Sequence, residues 1–172
     1  SRKMNAYMLQ VLNENLQSTV KTTIERSKYH YLIDVGYNGS VFFLYFYNYK
    51  ERTYEITSMT RTGQEIGKYI SPEVGKRDFS LNASYGYVNL GDGESNKSLF
   101  PVGNEVFMRL SLEFTKGNRY GYRLSYFSNS LEEQWTIAPQ EGQKITEMPI
   151  INHVDDRYAI VTLTRIPKPS SR

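Results

Sequence analysis

The sequence predicts a mainly β fold, an antiparallel barrel or sandwich with one N-terminal amphipathic helix. Three observations carry that expectation. Residues 105–127 read as an amphipathic hairpin: Val106, Met108, Leu110, Leu112 and Phe114 alternate with Glu105, Arg109, Ser111, Glu113 and Thr115, with Phe107 the one exception, while Tyr120, Tyr122, Leu124 and Tyr126 share a face of the second arm. About eight alternating segments of this kind recur, separated by short turn signals. The chain also holds 15 tyrosines and 8 phenylalanines beside a single Trp, an aromatic usage that favours strands.

The register of the 105–127 hairpin follows from its side chains. A two-residue loop at Gly117-Asn118 would set Phe114 opposite Gly121 and Leu112 opposite Arg123, pairing an apolar face with a polar one. A three-residue loop, Lys116-Gly117-Asn118, pairs Phe114 with Tyr120, Leu112 with Tyr122, Leu110 with Leu124 and Met108 with Tyr126, and Asn118 tolerates the left-handed backbone such a loop needs. The resulting apolar, phenol-edged wall must be covered. Met108, Leu110, Leu112, Phe114, Tyr122, Leu124 and Tyr126 are therefore the expected ligand-contacting residues.

From residue 5 to about 27, Met4, Met8, Val11, Leu12, Leu16, Val20 and Ile24 fall on one stripe at helical spacing with no Gly or Pro between, so a helix is expected there. The β body then runs over about 29–166. Residues 29–35 and 41–47 form a hairpin around Asn38-Gly39 with Val35 facing Phe42, and the run 41–47 is apolar on both faces, as a covered central strand is. Residues 52–60 and 66–70 continue the meander, Pro72 ends it, and residues 79–87 alternate again. Residues 90–98 read as the longest polar loop, 131–137 as a strand ended by Pro139, 142–151 as irregular, 158–166 as the closing strand, and 167–172 as a loose tail. With no composition shift and no fixed-period repeat, one domain over 1–172 is expected.

At 172 residues a single domain buries about 70% of its unfolded surface, so a core forms without staples. The absence of cysteine excludes disulfide and thiolate chemistry. A net charge of +3, dispersed along the chain, argues against a nucleic-acid partner. His30 and His153 are the two imidazoles. His153-Val154-Asp155-Asp156 lacks a metal-ligand spacing and reads as a polar turn, and His30 lies in a strand between tyrosines. Asp92-Gly93-Glu94 misses the alternating ligands of a calcium loop, and Glu132-Glu133 point to opposite faces of a strand. No phosphate loop, nucleophile elbow or paired-histidine helix occurs, so no cofactor, no metal and no enzyme is expected. Ser1-Arg2-Lys3 is not followed by an apolar h-region, which fits either a cytosolic start or a cut downstream of a signal or anchor.

Leu9-Gln10-Val11-Leu12, Leu16-Gln17-Ser18-Thr19-Val20 and Thr23-Ile24 resemble the segment after the membrane anchor in ToxS-type proteins. These are small periplasmic partners of membrane-bound transcription regulators, and the related VtrC-type partners form with their regulator a lipocalin-like barrel for bile salts. The resemblance implies a periplasmic location, a regulator partner and an apolar ligand such as a bile salt; it carries over no binding residue. The leading functional expectation is a non-enzymatic sensor or interaction module. A viral or phage structural protein that assembles with itself, in the cytoplasm or the virion, is the second, and a carbohydrate-binding protein or hydrolase the third.

Overall fold

The tyrosine- and β-branched-rich chain forms twelve strands and no helix among its described residues. The computed structural model describes residues 4–73, 99–103, 106–115, 119–140, 147–155 and 157–165, and of 106–115, 119–121, 147–150 and 163–165 the backbone alone. In chain order the strands are β1 (Met4–Leu12), β2 (Ser18–Ser27), β3 (His30–Tyr37), β4 (Val41–Asn48), β5 (Thr53–Thr60), β6 (Glu65–Ile70), β7 (Leu99–Val102), β8 (Val106–Thr115), β9 (Arg119–Ser128), β10 (Glu133–Ile137), β11 (Glu147–Val154) and β12 (Ala159–Arg165). They build two antiparallel meanders, β3-β4-β5-β6 and β7-β8-β9-β10, and two lone hairpins, β1-β2 and β11-β12. Among the described residues no sheet closes into a barrel.

The expected N-terminal helix is instead the β1-β2 hairpin, paired from Met4 opposite Ser27 to Val11 opposite Val20. Two local features override the helical stripe. Thr19, Val20, Thr22, Thr23 and Ile24 are β-branched and lose χ1 freedom in a helix. Asn13 then turns the chain: its Oδ1 accepts the N–H groups of Asn15 at 3.0 Å and Gln17 at 2.9 Å, and Leu16 takes a φ of 60°. The supposed stripe is thereby split. Val11, Val20 and Ile24 turn inward, while Met4, Met8 and Leu12 stay on the outer face.

β4 is the covered central strand that its sequence predicts. Val41, Phe43, Tyr45 and Tyr47 bury one side against Tyr54 and Ile56 of β5 and against Leu99, Phe127 and Leu131 of the next meander. Phe42, Leu44 and Phe46 bury the other against Leu9 and Ile24 of the β1-β2 hairpin. A third cluster, Val102, Leu124 and Ile151, joins the second meander to β11. The four sheets thus lie face to face in chain order. Along one side the first strands meet: the Leu99 N–H donates to Asp34 Oδ2 at 3.0 Å, and a Cβ on Gly36 would stand 3.0 Å from Pro101 Cγ, so β3 and β7 approach closely only because residue 36 is glycine.

The β8-β9 register is the expected one, with Phe114, Leu112, Leu110 and Met108 opposite Tyr120, Tyr122, Leu124 and Tyr126; Thr115 pairs with Arg119, and the three loop residues 116–118 between them lie outside the described residues. The β3-β4 register differs by two residues from the turn to Asp34 and by one beyond the bulge between Leu32 and Asp34. Asn38 Oδ1 accepts from the N–H of Ser40 at 3.2 Å and of Val41 at 2.9 Å, which puts Gly39-Ser40 in the turn, Tyr37 opposite Phe42 and Val35 opposite Leu44. Of residues 142–151, expected to be irregular, 147–151 belong to β11, with Pro149 opposite Leu163 interrupting the alternation that would have disclosed it, and 142–146 lie outside the described residues. The expected strand 79–87, loop 90–98 and tail 167–172 lie outside the described residues.

Two turn geometries recur. In the β1-β2, β5-β6 and β9-β10 hairpins the first turn residue donates to the carbonyl of the fifth (Asn13 to Gln17, Thr60 to Gln64, Ser128 to Glu132), the fourth donates back to the first, and the fourth is left-handed, at Leu16 (60°), Gly63 (87°) and Leu131 (65°). In each, the first side chain also accepts the N–H of the fifth residue, at 2.9, 3.1 and 3.2 Å. In β3-β4 and β11-β12, Asn38 and Asp155 play one role: each donates its N–H three residues on, to Val41 and Tyr158, and its Oδ1 accepts the N–H groups of the third and fourth turn residues.

Candidate functional site

The wall expected to touch ligand is only partly visible. Met108, Leu110, Leu112 and Phe114 stand in register with β9, and their side chains lie outside the described ones. Leu124 is buried beside Val102 and Ile151, so neighbouring protein packs on it. Tyr122 is half-buried; Tyr126 is too, its ring packed against the same cluster and stacked on Trp135 at 5.1 Å and 9°.

Between the β1-β2 hairpin and the first meander sits a buried charged cluster that sequence reasoning missed. Glu55 of β5 is 5% exposed and faces two cations and an imidazole: Lys68 Nζ at 3.0 Å, Arg26 Nε at 3.5 Å and His30 Nε2 at 3.4 Å. Arg26 comes from the covering hairpin; its Nη2 donates to Thr57 Oγ1 at 3.0 Å and lies 3.7 Å from Glu65, and its guanidinium is 5.4 Å from the Phe46 ring. Tyr7 Oη adds a hydrogen bond to the His30 carbonyl at 2.9 Å. The alternation of Glu55 with Tyr54 and Ile56, both buried, was the available signal that this carboxylate faces a covered side of the sheet.

Ser27 Oγ lies 2.9 Å from His30 Nδ1, and the ring's other nitrogen meets Glu55, the residue types of a nucleophile–base–acid relay. A relay acid must stabilise an imidazolium as it forms. Glu55 is already neutralised by the two permanent cations Lys68 and Arg26, so the cluster serves to clamp the hairpin onto the sheet.

At the end of the β3-β4 pair lies a tyrosine platform. The Tyr49 N–H donates to the Tyr29 carbonyl at 3.1 Å, fixing the two residues side by side. The Tyr49 ring meets Tyr29 edge-on at 5.2 Å and Tyr31 tilted at 5.4 Å, and the Lys28 and Lys50 ammonium groups stand 5.0 and 5.7 Å from the Tyr29 ring centre. Tyr31 and Tyr49 are exposed, and Lys50 also lies 3.5 Å from Glu51. Lys28-Tyr29 and Tyr49-Lys50, one dipeptide on each side of the hairpin, were the readable sign once β3 and β4 are paired. Three phenol faces beside two ammonium groups offer apolar area and positive charge in one patch.

His153 Nε2 lies 3.4 Å from Asp155 Oδ2, and the His153 ring packs 5.7 Å from that of Tyr158. The backbone N–H groups of Tyr158 and Arg157 hold the Asp155 carboxyl below the usual carboxylate range. Burial pushes the Tyr47 phenol up, with Arg52 opposing. Among the described residues no group of three or more His, Cys, Asp or Glu could hold a metal ion, and no helix is long and apolar enough to cross a membrane.

The chain belongs to DUF6770, a family of unknown function whose model matches residues 1–172. No curated protein and no solved structure matches it.

Proposed function

We propose that this chain is a non-enzymatic recognition module that takes an amphipathic anion, an apolar body carrying a carboxylate or sulfonate, on the Tyr29–Tyr31–Tyr49 platform. One observation carries the reading: three phenol rings joined through Tyr49, two of them exposed, with ammonium groups 5.0 and 5.7 Å from the Tyr29 ring. The rings supply apolar area at little rotamer cost, and Lys28 and Lys50 select for negative charge. Bile salts and fatty acids have this chemistry, in keeping with the ligand implied by the ToxS and VtrC resemblance, and a periplasmic sensor partnered with a membrane-bound regulator is the setting it suggests. The alternative contact surface is the β8-β9 wall of Met108, Leu110, Leu112 and Phe114 with Tyr122, Leu124 and Tyr126.

Calorimetric titration with taurocholate separates these surfaces. The parent should bind, and Tyr49→Ala and Lys50→Ala should each weaken binding about tenfold, the equivalent of about 1.4 kcal/mol. Loss on Leu110→Ala with the Tyr49 and Lys50 variants unchanged would move the site to the wall. Absence of binding by the parent, for taurocholate and for laurate alike, would reject the ligand class.

A further inference from the structure

We infer that the β1-β2 and β11-β12 hairpins are complementary halves of one four-stranded sheet, and that a second copy of this chain completes them: β12 of one copy pairs along the outer edge of β1 of the other. The interface is independent of the tyrosine platform.

The shared turns identify the halves. The β1-β2 turn is that of β5-β6 and β9-β10, the third and fourth strands of the two complete meanders, and the β11-β12 turn is that of β3-β4, a first and second strand. In both meanders the second strand pairs with the third, β4 with β5 and β8 with β9. The strands left without that partner among the described residues are β12, a second strand, and β1, a third. Two free strand edges of matching kind at opposite ends of one stack are complementary surfaces.

Burial at matched positions says the same. Aligning the turns places Leu12 with Met59 and Phe127, which face the preceding sheet and are 6% and 0% exposed, whereas Leu12, with no sheet before it among the described residues, is 47% exposed. At the other end Tyr158 and Ile160 align with Val41 and Phe43, which bury against the following sheet; Tyr158 and Ile160 are exposed. In the composite sheet both deficits vanish together. The first copy's β7-β10 meander would cover Met4, Met8 and Leu12 of the second, and the second copy's β3-β6 meander would cover Tyr158 and Ile160 of the first.

Closure also follows. Among the described residues each copy holds two complete four-stranded sheets and two halves. Two copies joined at two such junctions make six sheets stacked face to face with their first strands together, as β3 and β7 already are, within the range of about 4–8 sheets in which radial stacks close as propellers.

The β4-β5 register, with Leu44 opposite Thr57, transfers to the junction as Val161 opposite Gln10 of the other copy. The chain has no cysteine, so the test can be read cleanly. Light scattering of the 172-residue chain should give twice its 20.0 kDa mass. The double variant Gln10→Cys/Val161→Cys should oxidise to a covalent dimer that reductant dissolves, while Lys21→Cys/Val161→Cys, with one cysteine on β2, should not. Leu12→Glu and Ile160→Glu should each raise the dissociation constant at least tenfold with an unchanged circular dichroism spectrum. A monomer at all concentrations, or equal cross-linking of the two cysteine pairs, overturns the proposal.

Discussion

The β5-β6 and β1-β2 hairpins close with the same five-residue turn and end in different surroundings. Met59 and Glu55 of β5 are 6% and 5% exposed; their counterparts Leu12 and Met8 in β1 are 47% and 59% exposed. Turn hydrogen bonds and strand alternation act over a few residues and are satisfied equally well in both. Burial depends on which sheet lies on each face, and of these two hairpins β5-β6 alone has one on both sides among the described residues. Residue pattern therefore decides the hairpin, and neighbours decide what its side chains are worth.

The sharpest break of that comparison is in the core. Phe43, fully buried between the two meanders, and Ile160 occupy the same place in their hairpins. Phe43→Ala should cost about 3–5 kcal/mol in urea unfolding, because it leaves a cavity in a packed cluster. Ile160→Ala, measured at protein concentrations low enough to dissociate any dimer, should cost less than about 1 kcal/mol. Equal losses would mean that Ile160 is already covered within one chain.

Next comes the buried carboxylate. Glu55→Gln removes the charge that offsets Arg26 and Lys68 and should cost about 3–5 kcal/mol, since the part-buried guanidinium keeps only the half-exposed Glu65 as counter-charge. Met8→Gln at the matching position of β1, measured at the same dissociating protein concentrations, should change stability by no more than about 0.5 kcal/mol. The same cycle tests the relay reading of Ser27: Ser27→Ala should alter stability far less than Glu55→Gln.

The left-handed turn position offers three residues at one geometry. Leu131 is 5% exposed and belongs to the core between the meanders; Leu16 is 78% exposed. Leu131→Gly should cost about 1–4 kcal/mol, the lost burial less the relief of a strained φ of 65°. Leu16→Gly should raise the melting temperature, because at a φ of 60° glycine removes strain of about 1 kcal/mol and gives up little burial. A fall on Leu16→Gly would show that the exposed tip is held by contacts, and would weaken the comparison.

Much of the architecture was legible because period-two alternation is local. The β8-β9 register followed from forcing apolar residues opposite one another, and β4 followed from being apolar on both faces. The N-terminal helix was misread because Met4, Met8, Leu12 and Leu16 sit at four-residue spacing, which is also every second residue taken twice; strand and helix both accept that spacing, and the β-branched run 19–24 with Asn13 decided for the strand. The internal likeness of the hairpins was illegible because the turns share hydrogen bonds and not residues: Asn13, Thr60 and Ser128 each accept the same N–H with different side chains. The tyrosine platform and the Glu55 cluster join residues from separate strands, so they exist only after pairing and stacking.

The smallest expected effect lies in the inner turns, where Asn38 and Asp155 do the same work with and without a titratable group. Asp155 Oδ1 accepts the N–H groups of Arg157 at 2.8 Å and Tyr158 at 2.9 Å, and these bonds, the Tyr158 one foremost, hold its pKa below the usual carboxylate range. A carboxyl whose folded pKa is depressed contributes stability that is present above its unfolded pKa and is lost as pH falls through the lower, folded one. The amide of Asn38 makes the same two bonds and cannot titrate. Asp155→Asn should therefore keep the turn and leave the melting temperature near neutral pH almost unchanged, while flattening the part of the acid-side decline that belongs to this turn. Asp155→Ala should lower the melting temperature at neutral pH, because both N–H groups lose their acceptor. Thermal melts of the three proteins across the acid range, with a carbon-detected NMR titration of the Asp155 carboxyl, measure this directly. An Asp155 titrating at or above the ordinary carboxylate range, or identical acid profiles for the parent and Asp155→Asn, would show that the turn hydrogen bonds do not favour the charged form.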